Sequence, residues 1–370
     1  MGETTIDLTS STVPQGYYCL RPGGVASCSG EVELLKAGNG VEVKLCNDWP
    51  AGNNNNFTTG FVIKELRFAE GAGANTLTVH DGQSATVEKV TGSPVDINFH
   101  EAGELILAGT AGTVHALRNI NFLDKDRNNV FNRNLTISEG VTVQVSCLDN
   151  SWGMGVLRVN GTLNVTDLDR GLYMSSGANN STENNVITGT GTVNTQTLIC
   201  QNAGTYNFSV NALNVEGTAT LQANVNIMDG TLAFNGATTM NSTVALYDGA
   251  ILQNNAEEAI HFGENFRLNI ENLTEQVADD GSRVYTILGG SGNKDLSSLS
   301  TSQLLAHYSN GWDWSFNQNG TIVATRLGRD VSYAGGTLSW STAADNKSFT
   351  QGSAAVSFEQ GDNVTFAGDS

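Results

Sequence analysis

An all-β chain wound as a right-handed parallel β-helix is what this sequence predicts, on three observations. Short β-branched stretches recur along it, Gly-Thr phrases punctuate them with the last two 19 residues apart, and helical periodicity is almost absent. The composition agrees. The 370 residues include 42 Gly and only 4 Pro, and charged residues make up 15%. So little proline beside so much glycine, asparagine and threonine speaks for ordered turns and solvent-facing strand positions, and against a disordered tail.

The strand signal comes from 76–79 (TLTV), 141–145 (VTVQV), 162–165 (TLNV), 219–221 (ATL) and 243–246 (TVAL), each bounded by Gly, Asn or Asp. The repeated phrase reads Asn160-Gly161-Thr162-Leu163, Thr190-Gly191-Thr192-Val193, Glu216-Gly217-Thr218, Asp229-Gly230-Thr231-Leu232 and Asp248-Gly249-Ala250-Ile251. A coil of about twenty residues has room for three short strands and three turns, and is too small to bury a core alone. Stacked coils share one core and bring like residues into ladders about 4.8 Å apart, which favours Asn and Thr. That stacking accounts for the N-x-S/T sequences at Asn160, Asn164, Asn180, Asn241, Asn272 and Asn319 without glycosylation.

Four segments are expected. Residues 1–59 form a small cysteine-bearing N-terminal cap, 60–259 the β-helix coils, 260–328 a C-terminal cap, and 329–370 the start of a further β-strand repeat. The cap is expected to hold one short helix over 300–309, where Leu304, Leu305 and Tyr308 stand at helical spacing. Trp312 and Trp314 lead into a hairpin across Asn319-Gly320. An open solenoid end needs such a cover, because its unpaired strand edges would otherwise pair with other chains.

The net charge of −19, from 18 basic and 37 acidic residues, removes nucleic acid and anionic membrane surfaces from the expected partners. No apolar run reaches transmembrane length, and no basic and apolar leader opens the chain, so Met1-Gly2 is read as a start after signal removal. Among five cysteines no C-x-x-C pair occurs. Cys19 and Cys28 flank a Pro/Gly loop and are the disulfide candidates, with Cys46 a competing partner, while Cys147 and Cys200 read as core thiols.

Together these residues resemble the passenger regions of bacterial autotransporters. Asp280-Gly281, Val284-Tyr285-Thr286-Ile287-Leu288, Trp312-Asp313-Trp314 and Asn319-Gly320-Thr321-Ile322-Val323 look like the stretch that closes such a β-helix. The tail, with Gly335-Gly336-Thr337-Leu338-Ser339-Trp340, Phe358 and Gly361-Asp362-Asn363-Val364-Thr365-Phe366, is similar to an autotransporter-associated β-strand repeat. The resemblance implies export to the outer surface of a Gram-negative bacterium or beyond it, and a β-helical stem. It implies no particular activity. No membrane barrel of alternating strands follows in this sequence, and five cysteines exceed what such passengers usually carry.

Catalytic signatures are incomplete. G-x-S-x-G, H-E-x-x-H and G-x-x-x-x-G-K are all missing. Of the residue set typical of β-helical pectinases only an Asp-Asp pair, Asp279-Asp280, is present. Three constellations are candidates. Asp229 and Asp248, one rung apart, would form a carboxylate pair for a glycosidase or acid protease if they stacked, whereas each also suits a plain Asp-Gly turn. Asp167, Asp169 and Arg170 would grip a sugar if the two aspartates shared a strand face, or form an ordinary ion pair. His80 and His100 would hold a metal if stacked. No cofactor is expected, since the acidic surface is compatible with a divalent cation such as calcium but no complete motif supports one. The expected role is a secreted or surface-displayed β-helical protein that is structural, adhesive or in contact with glycans or glycoproteins. The alternative is a secreted hydrolase of mucin-like glycans or glycoproteins using a carboxylate pair.

Overall fold

The computed structural model describes residues 61–68, 75–79, 84–92, 94–99, 103–122, 133–150, 155–175, 186–202, 204–306, 311–333, 347–358 and 362–366, together with three strands near the N-terminus, Tyr17–Leu20, Ser29–Leu34 and Glu42–Leu45. The chain is a parallel β-solenoid of about seven turns. Each coil lays one strand on each of three faces and pairs in parallel with the coils before and after it. One such coil is Arg133–Ile137, Thr142–Val145 and Cys147–Asn150, and the next is Val156–Val159, Thr162–Val165 and Leu172–Ser175. The three N-terminal strands already follow this pattern: Tyr17–Leu20 pairs with Glu42–Leu45, which pairs with Asn75–Val79, and Ser29–Leu34 pairs with Phe61–Phe68.

Alternation along each short strand turns every second side chain inward. On the first face Leu105, Leu135, Leu157, Ile187, Phe208, Ile227 and Leu246 stack in register, all buried. The second face stacks His115, Val143, Leu163, Val193, Leu213, Leu232, Leu252 and Leu288. On the third, Ile97, Ile120, Leu148, Leu172 and Leu198 line up, and the rings of Phe99 and Phe122 lie parallel with centroids 4.9 Å apart. Each fully buried aliphatic side chain contributes roughly 1.5–3 kcal/mol, so the core gains stability only as coils accumulate.

The recurring glycine has a steric reason beyond turn formation. A Cβ on Gly191 would stand 1.9 Å from the Gly161 carbonyl oxygen, and one on Gly161 would stand 2.1 Å from that of Val141. Those carbonyls accept from Thr192 N and Thr162 N, each at 2.9 Å, so coils cannot separate there without losing rung-to-rung bonds.

The far end is closed by an antiparallel sheet ordered Gln276–Val277, Arg283–Thr286, Thr321–Arg326, Trp312–Phe316. The expected hairpin is present, with Gly320 at φ +84° in its turn. Tyr285 and Ile322 join the core, and Trp314 and Phe316 pack against it. Where the expected helix over 300–309 is described, at 300–306, it is not formed. One 3-10 turn, Thr301–Gln303, is followed by a short strand, Leu304–Leu305, that pairs in parallel with Leu268 and Asn269. Continuing the sheet satisfies backbone groups and stacks Leu304 on Leu268, which outweighs a weak local preference for helix. Beyond the cap, Asp330–Tyr333, Phe349–Gln351, Ala354–Val356 and Asn363–Thr365 form a four-stranded sheet. Arg329 clamps it: the guanidinium makes two bonds to the fully buried Asp362 carboxylate (2.9 and 2.7 Å) and a third to Ser357 O (2.8 Å). Among the described residues no helix is long and apolar enough to cross a membrane.

His115 is the polar exception in the second-face ladder. Its ring is fully buried, Nε2–H donates to Ala108 O at 2.7 Å, and Nδ1 has no partner among the described residues. Burial lowers its pKa below the ordinary histidine value. The unfolded chain therefore takes up the proton first, and stability falls as pH drops below about 6.5. His115→Leu is expected to flatten the loss of stability between about pH 7 and pH 5, as measured by urea unfolding at each pH. Gly191→Ala is expected to lower stability by about 1–3 kcal/mol, read as a lower urea midpoint, because the methyl group must displace the coil beneath it.

Candidate functional site

A polar groove runs across the outer side of the second face. It encloses about 360 Å³ and is lined by Gln144, Asn164, Val165, Thr166, Asn194, Thr195, Gln196 and Glu216. These residues come from four successive coils, so the groove follows the solenoid axis. Alternation explains the floor. Leu163-Asn164-Val165, Val193-Asn194-Thr195 and Leu213-Asn214-Val215 each turn two side chains inward and one amide outward. Register then aligns Gln144, Asn164, Asn194 and Asn214 in a row. Asn194 Nδ2 donates to Asn164 Oδ1 and Asn214 Nδ2 to Asn194 Oδ1, both at 2.9 Å.

Unequal corners shape the wall. Between the second and third faces the chain turns through Ser146 alone in one coil, but through residues 166–171 in the next. In the coil after that the strand Val186–Gln201 passes the same corner unbroken. The longer loop therefore stands out between tight neighbours and is tied to both. Thr166 N and Asp167 N donate to Val145 O and Ser146 O (3.0 and 2.9 Å), and Leu148 N donates to Gly171 O (3.0 Å). On the other side Thr197 Oγ1 donates to Leu168 O at 2.6 Å. Gly171 has φ +48°, and a Cβ there would lie 2.3 Å from Thr197 O. The exposed tip is Leu168, 73% accessible.

Asp167, Asp169 and Arg170 all lie in this loop, so the two aspartates do not share a strand face as the sequence suggested. Asp167 instead closes a turn: its Oδ1 accepts from Asp169 N (2.9 Å) and Arg170 N (2.7 Å), and these backbone bonds, that from Arg170 foremost, hold its carboxyl below the usual range. Arg170 reaches back to Asp149 on the preceding coil (2.8 Å) and lies over the Tyr173 ring, 4.3 Å from its centroid. Gln201 Nε2 donates to the Tyr173 hydroxyl, continuing this row on the third face.

Asp229 and Asp248 do not meet as a matched pair of turns. Gly230 pairs with Ala250, one residue out of step with the sequence phrase, and Gly249 faces the Asp229 carboxylate. Asp229 Oδ1 accepts from Gly230 N (2.7 Å). Asp248 accepts from the Thr274 hydroxyl and amide, each at 2.7 Å, and these bonds lower its pKa. Asp280 is likewise held in a turn by Ser282. His80 and His100, with Cys28 and Cys46, lie outside the described residues, and Cys19 is placed only as a backbone position of its strand. Among the described residues no group of three His, Cys, Asp or Glu is arranged to hold a metal ion. Cys200 is buried as expected of a core thiol. Cys147 is only half-buried, and burial, reinforced by Asp149, pushes its thiol up to about 11, far from a reactive thiolate.

Four of the six N-x-S/T asparagines named above use the side-chain oxygen within the fold. Asn160 accepts from Thr190 N, Asn164 from Asn194, Asn241 from Asn265 N and Asn319 from Thr321. The groove residues Gln144, Asn194, Gln196 and Glu216 were not singled out by the sequence. The recurrent apolar-Asn-apolar-or-Thr triplet was their available signal.

Chemically, the groove offers amides that both donate and accept, and one carboxylate, Glu216, while the Thr166 and Thr195 hydroxyls donate to backbone carbonyls. Hydrolysis by a carboxylate pair needs a second acid within roughly 5–9 Å, which the lining does not supply. No family model matches the chain, and searches of curated proteins and of solved structures give no match. Arg170→Ala is expected to loosen residues 166–171 while the coils stay folded. Hydrogen exchange should show faster exchange confined to this loop, with an unchanged unfolding midpoint within about 1 kcal/mol.

Proposed function

We propose that this protein is a non-catalytic β-helical scaffold, secreted or displayed on the outer surface of a Gram-negative bacterium, that contacts extracellular glycans or glycoproteins. The axial groove carries the reading: amides from successive coils are fixed at one spacing beside a braced loop, on a rigid, acidic and otherwise uninterrupted β surface. Export and surface display rest on the resemblance to autotransporter passengers. The solenoid with an aromatic-lined end cap and a further β-sheet beyond it is consistent with that resemblance.

Side-chain amides suit this role because sugar hydroxyls, like amides, donate and accept at once. A stiff stem also loses little conformational entropy on binding, so modest individual contacts can add up. The competing reading is a hydrolase that uses Asp229 and Asp248. Their carboxylates are committed to backbone and threonine donors at separate turns, which favours a structural use for both.

Incubation of the full chain with mucin-type glycoproteins should give saturable retention with no released sugar or peptide. The Asp229→Asn/Asp248→Asn double variant should bind equally well. Turnover by the native chain that disappears in the double variant would replace the scaffold reading with the hydrolase one.

A further inference from the structure

The groove is specific enough to indicate what kind of glycan lies in it. Within the ladder Asn194, the middle residue, spends half its capacity, and Asn164 and Asn214 each use one ladder bond. Asn194 gives one amide hydrogen to Asn164 and accepts one from Asn214, leaving a second hydrogen and a second lone pair outside the ladder bonds. The ladder bonds also orient these amides, so donor and acceptor follow the same order from Asn164 through Asn194 to Asn214. Gln144 extends the row by one coil at one end, and Ala233 follows Asn214 at the other, where the amides stop.

We propose that this row binds one segment of a neutral, extended oligosaccharide lying parallel to the solenoid axis, with about one sugar ring per rung. The proposal rests on the glycan-contact reading above and adds the location, direction and charge class of the ligand. The four coils that line the groove span roughly 14 Å, or three rung spacings of about 4.8 Å, which sets the length of the bound segment. A linked pyranose advances by nearly one rung, whereas a peptide strand advances about 3.3 Å per residue and turns alternate residues away.

Two further observations narrow the class. The face is the interior of a sheet paired on both sides, so its backbone groups are occupied and a peptide cannot bind by adding a strand. The one charged side chain in the lining is Glu216, and the whole chain carries −19, so uronic, sialylated or sulfated polymers meet repulsion with no compensating cation in the groove. Arg170, the nearest cation in the loop sequence, is committed to Asp149 and Tyr173 on the third face.

The test is a glycan array read with the full chain, followed by titration calorimetry with linear neutral hexose oligomers of increasing length. Affinity should rise with length until the oligomer spans the groove, then level off, and added salt should change it little. Asn194→Ala should weaken binding about tenfold or more, and Gln144→Ala, at an exposed groove position outside the Asn–Asn bonds, should weaken it severalfold with an unchanged circular dichroism spectrum and melting point. Glu216→Gln should relieve the exclusion of acidic oligomers. Neutral binding untouched by both amide variants would overturn the groove assignment while leaving glycan contact standing. A preference for acidic glycans would overturn the neutral class. Failure to bind any glycan would overturn both this proposal and the function it rests on.

Discussion

Rung-to-rung backbone pairing between successive coils is the interaction on which everything else in this molecule depends. No coil holds enough apolar surface to fold alone, so each strand's donors and acceptors must be met by the strands one coil before and one coil after. That single requirement dictates the sequence at several levels. It puts Leu, Ile and Val in register down the interior. It excludes a Cβ where the backbone of Gly191 passes over the Gly161 carbonyl. It also makes the outward positions into rows of like residues, since a side chain repeated at coil spacing lands on its own kind.

The same requirement explains which parts of the structure the sequence reveals. Strand content and the Asn319-Gly320 hairpin rest on local signals. The coil near twenty residues holds for Phe208, Ile227 and Leu246, 19 apart in one ladder, but Leu105 to Leu135 and Leu157 to Ile187 in the same ladder are 30 apart. The segment around Leu304 fails as a helix because its fate is settled by Leu268, far away in sequence. Asp229 and Asp248 share a phrase but not a rung, since a one-residue slip in a neighbouring coil is invisible until the strands are paired. Groove and loop were legible only in pieces. Asp167, Asp169 and Arg170 were recognisable as a polar cluster, but the cavity beside them arises from the difference between a one-residue corner at Ser146 and the loop 166–171. Corner length is a property of how coils compare, and no single coil displays it.

Polar residues inside the solenoid are met in different ways. Thr195, inward between Val165 and Val215, turns its hydroxyl to Thr197 O at 2.7 Å. His115 makes one bond and leaves its other ring nitrogen bare, a cost tolerated at one rung of a long ladder. At the C-terminal end the solution differs: Arg329 and Asp362 bury a charge pair with three bonds from one guanidinium, fastening the last sheet where the stacked core has already stopped.

The asparagine rows have one more property. In five separate pairs, 98/121, 164/194, 194/214, 207/226 and 235/255, it is always the later residue that donates to the earlier. Small amide dipoles thus point the same way along the molecule and reinforce one another. The asparagine rows of this β-helix have a direction, with a head and a tail. A polymer with two different ends meets two unequal alignments on them, and a filament of such molecules laid end to end would keep that sense of direction throughout its length.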